Sequence, residues 1–149
     1  MRPSKYQTAM TIAEAVSGRS HDTETQVGCV LIKKDTGAIV ATGYNGFIRQ
    51  APDDILANKG PDKYEYMIHA EQNMIFNCAS QGIAMKDCIL VCTLSPCLVC
   101  TRYLWQCGIR EVICKELYKD SANICAMKDL DVAINNGPDG FYTITYSEK

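Results

Sequence analysis

The chain has 149 residues, 47% of them hydrophobic, and a formal net charge of −2. This length allows one well-packed domain and is too short for two ordinary ones, so we expect a single domain over residues 1–149. The acidic balance argues against a nucleic-acid partner, because proteins that bind nucleic-acid backbones usually present a basic surface.

The sequence carries no export signal and no candidate membrane span. Its first residues lack the apolar segment of a signal peptide, and no apolar run approaches the roughly 20 residues that a spanning helix needs. We therefore expect a cytoplasmic protein with no membrane partner. In that compartment the nine cysteines should be reduced thiols.

The first third of the chain predicts a helix followed by a β-hairpin. The helix begins after Ser4, which can form a capping box with Gln7, and ends near Gly18. Apolar runs at 27–32 and 38–43 flank a polar turn, which is typical of a hairpin.

The rest of the chain alternates helices and strands after a long irregular segment at 44–68. The predicted elements are a helix at 69–80, a strand at 88–92, a helix at 97–106, a strand at 111–114, a helix at 121–135 and a strand at 141–146. This order favours a three-layer α/β/α fold with a five-stranded mixed sheet. Because the helix at 121–135 is long enough for a crossover, we expect the last two strands to be parallel.

One histidine and two cysteines have the spacing of a catalytic zinc site. Residues 69–71 read His-Ala-Glu and residues 96–100 read Pro-Cys-Leu-Val-Cys, a pattern typical of zinc-dependent base deaminases. The ligands would be His69, Cys97 and Cys100, and a catalytic zinc keeps its fourth position for water. A structural zinc would need a fourth protein ligand, and neither His21 nor any other cysteine has a spacing that suggests one.

Glu71 is the candidate catalytic residue, since it follows the histidine by two positions without being a ligand. It would take a proton from zinc-bound water and deliver it to the ring nitrogen of the base while ammonia leaves. The alternative is a structural zinc without chemistry, in which case Glu71 is a solvated helix carboxylate.

Other segments resemble the dCMP deaminases of the cytidine deaminase superfamily. Residues 19–28 match the family pattern R-S-x-D…Q-V-G, residues 43–46 read Gly-Tyr-Asn-Gly, and the likeness extends from about residue 4 to about residue 145. The resemblance implies hydrolysis of dCMP to dUMP and ammonia, in the host cytoplasm if the source is viral. It also implies one zinc ion per chain, because residues 47–68 lack the cysteines and histidine that hold a second zinc in some relatives.

The resemblance further implies a set of substrate contacts. Asn45 would contact the sugar or phosphate, although an asparagine beside a glycine is also typical of a tight turn. Tyr118 and Lys119 match a tyrosine and a basic residue that meet the 5′-phosphate. The backbone around Ala70 and Ser95 would contact the edge of the pyrimidine.

A position near the phosphate departs from some relatives. Glu24 lies in a stretch where they carry a basic residue. The resemblance therefore assigns more of the phosphate charge to Arg19 or to Lys119.

Family members are commonly hexamers that dCTP activates and dTTP inhibits, so we expect a homo-oligomer and a regulatory nucleotide with Mg²⁺. The positions that match the regulatory site are Gly43, Asn45, Gly46 and Arg2. Ile48 replaces a proline that often follows in this loop.

Three alternatives stay open at this point. The chain could deaminate free cytidine or deoxycytidine, or a base of tRNA or another nucleic acid on the same fold. It could also be an inactive zinc-containing regulatory subunit that binds nucleotides, although that role gives no reason to retain Glu71.

Overall fold

The computed structural model describes residues 1–54, 58 and 60–149. Within them six strands form one sheet: β1 (Gly28–Lys33), β2 (Ile39–Tyr44), β3 (Cys88–Leu94), β4 (Glu111–Glu116), β5 (Asp131–Asn136) and β6 (Tyr142–Ser147). The helices are α1 (Lys5–Ser17), α2 (Ala70–Gln81), α3 (Leu98–Gln106) and α4 (Ser121–Cys125), with a 3₁₀ helix at Pro61–Glu65. No helix of the described ranges combines the length and the apolar character needed to cross a membrane.

The sheet is mixed, with the strand order β2-β1-β3-β4-β6-β5. Strand β1 is antiparallel to both β2 and β3, and the only parallel pair among the described strands is β3 with β4. Helix α3 makes the crossover between them, as a parallel connection requires. The predicted α/β fold is therefore confirmed, whereas the prediction of five strands with the last two parallel is wrong.

The error comes from residues 121–135, which were predicted to be one helix. The helix ends at Cys125, and β5 begins at Asp131 and pairs antiparallel with β6. Spacings of three and four run from Ile124 through Leu130 to Ile134 and suit a helix, while Leu130, Val132 and Ile134 also alternate as in a strand. The strand is favoured because β6, which follows after a short turn, pairs with it along its whole length.

Helices cover both faces of the sheet, which makes the three layers. In β1, Val30 and Ile32 pack on the α1 side, and Cys29 and Leu31 pack on the opposite side with α2. All four of these side chains are fully buried. The continuous apolar run of this strand, without polar alternation, follows from burial on both faces.

Two glycines let helices lie close to the hairpin. A Cβ at Gly28 would lie 2.0 Å from the carbonyl oxygen of Ala13 in α1, and a Cβ at Gly43 would lie 2.3 Å from the carbonyl oxygen of Ala70 in α2. Any other residue would push the helix away. Gly43 thereby sets the position of the N-terminus of α2, which carries the predicted metal ligand.

Candidate active site

The predicted site residues meet at one edge of the sheet. Because β1 is antiparallel to both β2 and β3, strands β2, β3 and β4 all end at this edge. Asn45 follows β2, Ser95 follows β3 and Tyr118 comes shortly after β4. Open α/β sheets place their sites outside the carboxyl ends of such strands.

His69, Cys97 and Cys100 form a cluster whose ligand atoms all lie within 4.8 Å of one another. Nδ1 of His69 lies 3.6 Å from Sγ of Cys97 and 3.3 Å from Sγ of Cys100. Tetrahedral zinc with ordinary bond lengths would hold a nitrogen and a sulfur about 3.6 Å apart. The donor set and its spacing therefore fit zinc.

Two helix N-termini position these ligands. His69 is the N-cap residue of α2, and its backbone N–H donates to the side chain of Gln72 at 2.9 Å. Cys97 is the N-cap residue of α3, and its carbonyl oxygen accepts from the hydroxyl of Thr101 at 2.9 Å. The positive ends of both helix dipoles thus face the cluster and favour thiolate there.

The ligand side chains share their protons. The hydrogen bond from the Cys100 thiol, together with that from His69, lowers the pKa of Cys97 to about 4 despite its burial. The hydrogen bond with Cys97 raises the pKa of His69. The hydrogen bond between the sulfurs of Cys97 and Cys100, together with burial, raises the pKa of the Cys100 thiol. Since metal ligands bind in their deprotonated forms, zinc binding must release the protons held on these groups.

Glu71 lies next to the cluster and is 5% exposed. Burial raises the pKa of its carboxyl group, against the opposing effects of Cys100 and His69. A buried carboxyl group beside the metal ligands is placed to hold a proton and to give it up.

A cavity connects the metal cluster with the predicted substrate contacts. Of the predicted residues it is lined by His69, Cys97, Glu71, Asn45, Ala70, Ser95 and Tyr118. Residues not predicted as site residues also line it, among them Asp22, Thr25, Lys63 and Met67. The cavity thus brings the candidate catalytic residue together with most of the predicted substrate contacts.

The amide of Asn45 is largely engaged by the protein. Its Oδ1 accepts from the backbone N–H of Val27 at 2.9 Å, and its Nδ2 donates to the carbonyl of Thr25 at 2.9 Å and to Asp22 at 3.4 Å. Both amide hydrogens are therefore used, and only the oxygen keeps a free lone pair. In the cavity, Asn45 can accept a hydrogen bond from a ligand hydroxyl group.

The loops after β3 and β4 are tied together at the cavity. The backbone N–H of Tyr118 donates to Oγ of Ser95 at 2.6 Å, and the N–H of Ser95 donates to the carbonyl of Glu116 at 2.9 Å. Lys119 is exposed and does not line the cavity; its Nζ lies 5.8 Å from the centre of the Tyr118 ring.

A buried ion pair lines the cavity, and sequence reasoning missed it. Nζ of Lys63 lies 3.0 and 3.1 Å from the two carboxylate oxygens of Asp22, and 3.3 Å from Glu24. Burial alone would raise the pKa of Asp22, but the N–H groups of Glu24 and Thr25 and the ammonium of Lys63 together lower it. No sequence signal marks Lys63, because a lysine in an irregular segment is usually exposed.

A second cavity lies on the other side of the loop that follows β2. Its lining includes Gly43 and Gly46 together with the cations Arg19 and Arg49. The guanidinium of Arg19 lies 5.7 Å from the centre of the Tyr44 ring. Arg19 is not part of the first cavity, so its assignment to the substrate phosphate stays a prediction.

Arg2 lies apart from both cavities, in a shallow groove with Glu14 and Lys115. Within one chain, the structure therefore brings together only part of the predicted regulatory set. His21 also has no metal-binding companion in the described ranges: it accepts a hydrogen bond from the N–H of Phe47 at 3.1 Å, and its ring packs at a tilt of 50° against the Phe47 ring.

Known proteins with the same features are deaminases. Residues 3–116 match the family described as the cytidine and deoxycytidylate deaminase zinc-binding region. A probable deoxycytidylate deaminase of Caenorhabditis elegans is 38% identical over 133 residues, which is 87% of this chain and 66% of that protein. The human deoxycytidylate deaminase is 36% identical over 126 residues, 80% of this chain and 69% of that protein.

A solved structure supports the same relationship. The crystal structure of dCMP deaminase from the cyanophage S-TIM5, in complex with dCMP and dUMP, superposes with a TM-score of 0.66 at 26% identity. It covers 85% of this chain and 93% of the phage chain. The chain thus spans about two thirds of the length of the animal relatives and nearly the whole of the phage protein.

Proposed function

The chain belongs to the cytidine and deoxycytidylate deaminase family, among its zinc-dependent deoxycytidylate deaminases, and we propose that it converts dCMP and water to dUMP and ammonia. The observation that carries this proposal is the cluster of His69, Cys97 and Cys100 beside the buried Glu71 in one cavity. The cyanophage relative was crystallised with both dCMP and dUMP, which supports a nucleotide substrate.

The metal would be held by one imidazole and two thiolates, and when bound it acidifies a water molecule so that attack is possible near neutral pH. Glu71 would carry one proton of a water molecule to the pyrimidine ring nitrogen and the second to the amino group, which leaves as ammonia while the ring carbon keeps the oxygen as a carbonyl. Its burial removes competing solvent from this transfer.

The remaining side chains would hold the nucleotide. Backbone groups at Ala70 and Ser95 lie beside the cluster in the cavity wall and would contact the pyrimidine edge. The free lone pair of Asn45 suits a sugar hydroxyl group. Tyr118 would contact the phosphate. Lys119 does not line the cavity and would reach the phosphate only from outside it.

A Glu71→Gln variant tests the mechanism. We expect its turnover of dCMP to fall by at least about 100-fold, since general acid–base catalysis typically contributes that much. Its zinc content should stay at one ion per chain, because Glu71 is not a ligand. Unchanged turnover in a zinc-loaded variant would exclude the proton-shuttle role.

The substrate class is tested on the unmodified protein. Ammonia release is measured separately with dCMP, deoxycytidine and a short single-stranded DNA. We expect dCMP to react with a far higher kcat/KM than deoxycytidine, and DNA not to react. Reaction of only deoxycytidine or DNA would leave the zinc chemistry in place and refute the assignment to nucleotides.

We also propose that the second cavity binds the regulatory nucleotide, dCTP with Mg²⁺ as activator or dTTP as inhibitor. Arg19 and Arg49 supply cations for a triphosphate. Gly46 and Ile68 exchange two backbone hydrogen bonds of 3.0 and 2.7 Å, directly before the metal ligand. A ligand that moves this loop would therefore act on both His69 and Asn45.

An Arg49→Met variant tests this site. We expect it to keep the turnover of dCMP without effectors and to lose the response to dCTP. In a homohexamer, Arg2 would have to reach the cavity from a neighbouring copy, and sedimentation analysis of the purified protein determines whether hexamers form. A response to dCTP that Arg49→Met leaves unaltered would contradict the assignment.

A further inference from the structure

One buried hydroxyl group behind the metal cluster has no hydrogen-bond partner among the described residues. It is the phenolic hydroxyl of Tyr146 in β6, a residue that is only 3% exposed. Burial raises the pKa of this phenol, so the group keeps its proton and is a donor without an acceptor. Buried polar groups without partners are rare in folded proteins, and each calls for a physical reason.

Thr101 in α3 has the complementary need. It is fully buried, and its hydroxyl donates its single hydrogen to the carbonyl oxygen of Cys97 at 2.9 Å, so this hydroxyl can only accept a further hydrogen bond. Thr101 lies next to the Tyr146 hydroxyl, where it opposes the effect of burial on the pKa of the phenol, yet the two oxygens do not form a hydrogen bond of normal geometry in this structure. A donor without an acceptor therefore lies beside an oxygen with free lone pairs.

The residue that Thr101 contacts is a metal ligand, and this gives the pair a role. We propose that Tyr146 is a positioning residue for the metal site, whose hydroxyl donates to Oγ1 of Thr101 when zinc is bound and thereby holds the first turn of α3 in place. Both thiolate ligands, Cys97 and Cys100, lie at this end of the helix. Zinc binds two side chains there and can therefore hold the turn where the hydrogen bond forms. The inference rests on the zinc site and not on the identity of the substrate.

Tyr146 is a suitable anchor because the sheet fixes its backbone on both sides. It pairs with Val132 in β5, and its N–H donates to the carbonyl oxygen of Arg110 at 3.0 Å, directly before β4. Its ring belongs to the same core cluster as Cys92 and Cys114 of the central strands. The position of the hydroxyl is thus set by the sheet, and its hydrogen bond would tie the metal-binding turn to the sheet. Outer contacts of this kind typically contribute about 10- to 100-fold to metal affinity.

The variant Tyr146→Phe removes only the hydroxyl group and tests this role. We expect its dissociation constant for zinc, measured by competition with a chelator, to rise about 10- to 100-fold. The visible absorption bands of the Co²⁺-loaded variant should also shift, because they report the geometry of the ligands. In the metal-free protein the hydroxyl has no partner, so the metal-free variant should melt no lower than the metal-free unmodified protein. At equal zinc concentration, the zinc-loaded variant should melt lower.

Further variants make the comparison specific. Tyr142→Phe removes the same atom from a half-buried tyrosine of the same strand and should leave zinc affinity unaltered. Thr101→Ser keeps the hydroxyl and should retain the metal, whereas Thr101→Val should weaken zinc binding. If Tyr146 acts through Thr101, the double variant Thr101→Val with Tyr146→Phe should bind zinc no more weakly than Thr101→Val alone.

Three results would overturn the proposal. The first is an unaltered zinc affinity in Tyr146→Phe, and the second is a pair of losses that add in the double variant. The third is a metal-free Tyr146→Phe variant that unfolds more easily than the metal-free unmodified protein, because the hydroxyl would then stabilise the fold without the metal. No nucleotide enters these measurements, so a lack of dCMP turnover would refute the proposed function and leave this inference standing.

Discussion

The ammonium of Lys63 lies 3.0 Å from Oδ2 of Asp22, and the two side chains are only 5% and 2% exposed. The residues are 41 positions apart in the chain. Their contact joins the segment before β1 to the 3₁₀ helix before the metal ligand, so one ion pair links two walls of the cavity.

Removal of one partner of this ion pair should destabilise the fold. We expect Asp22→Ala to lower the free energy of unfolding by about 3 kcal/mol, because it leaves a buried ammonium without its main partner. Denaturant unfolding of the zinc-loaded protein measures the change. The exposed pair of Lys115 and Glu14 is the matched control, and Glu14→Ala should change stability little. Equal effects of the two substitutions would show that burial is not the cause.

The ion pair should also contribute to stability in acid. The folded-state pKa of Asp22 is lowered from 3.8, so its contribution is complete above that value and is lost as the pH falls through the folded-state pKa. Unfolding free energies measured between about pH 5 and pH 2 should therefore fall less steeply for Asp22→Asn than for the unmodified protein. Identical slopes would mean that other carboxylates account for the acid sensitivity.

Loss of either thiolate ligand should remove the metal. We expect Cys97→Ser and Cys100→Ser to purify with far less than one zinc ion per chain, as measured by elemental analysis. Their melting temperatures should fall, since bound zinc stabilises the folded state by mass action. Cys125→Ser, at an exposed cysteine outside the site, is the control and should keep its zinc. Full zinc content in Cys97→Ser would place the metal elsewhere.

A methyl group at Gly43 should displace helix α2. The added Cβ would lie 2.3 Å from the carbonyl oxygen of Ala70 and 2.6 Å from the backbone nitrogen of Met74. We expect Gly43→Ala to cost about 2 kcal/mol of stability and to lower dCMP turnover by moving the metal ligand. Gly18→Ala is the comparison, because Gly18 has ordinary helical angles and an added Cβ comes no nearer than 3.3 Å. A stable and active Gly43→Ala variant would contradict this account of the close packing.

Local residue patterns were sufficient to predict most of the short-range elements and the metal cluster. The capping box at Ser4, the hairpin and the helices that start after His69 and Cys97 depend on neighbouring residues, and each was predicted. The three zinc ligands have a spacing that reflects two helix N-termini, which is a local property of the chain. This local spacing is therefore sufficient to identify the three ligands in the sequence.

The strand count and the surroundings of the charged residues depend on contacts between distant parts of the chain. Residues 131–136 fit both a helical and a strand pattern, and pairing with β6 favours the strand. Lys63 is buried because Asp22 and Glu24 meet it from distant positions in the sequence, and Arg19 faces the second cavity through its contact with Tyr44. Partners so far apart along the chain leave no periodic signal, so only the folded arrangement decides which cation lines the cavity.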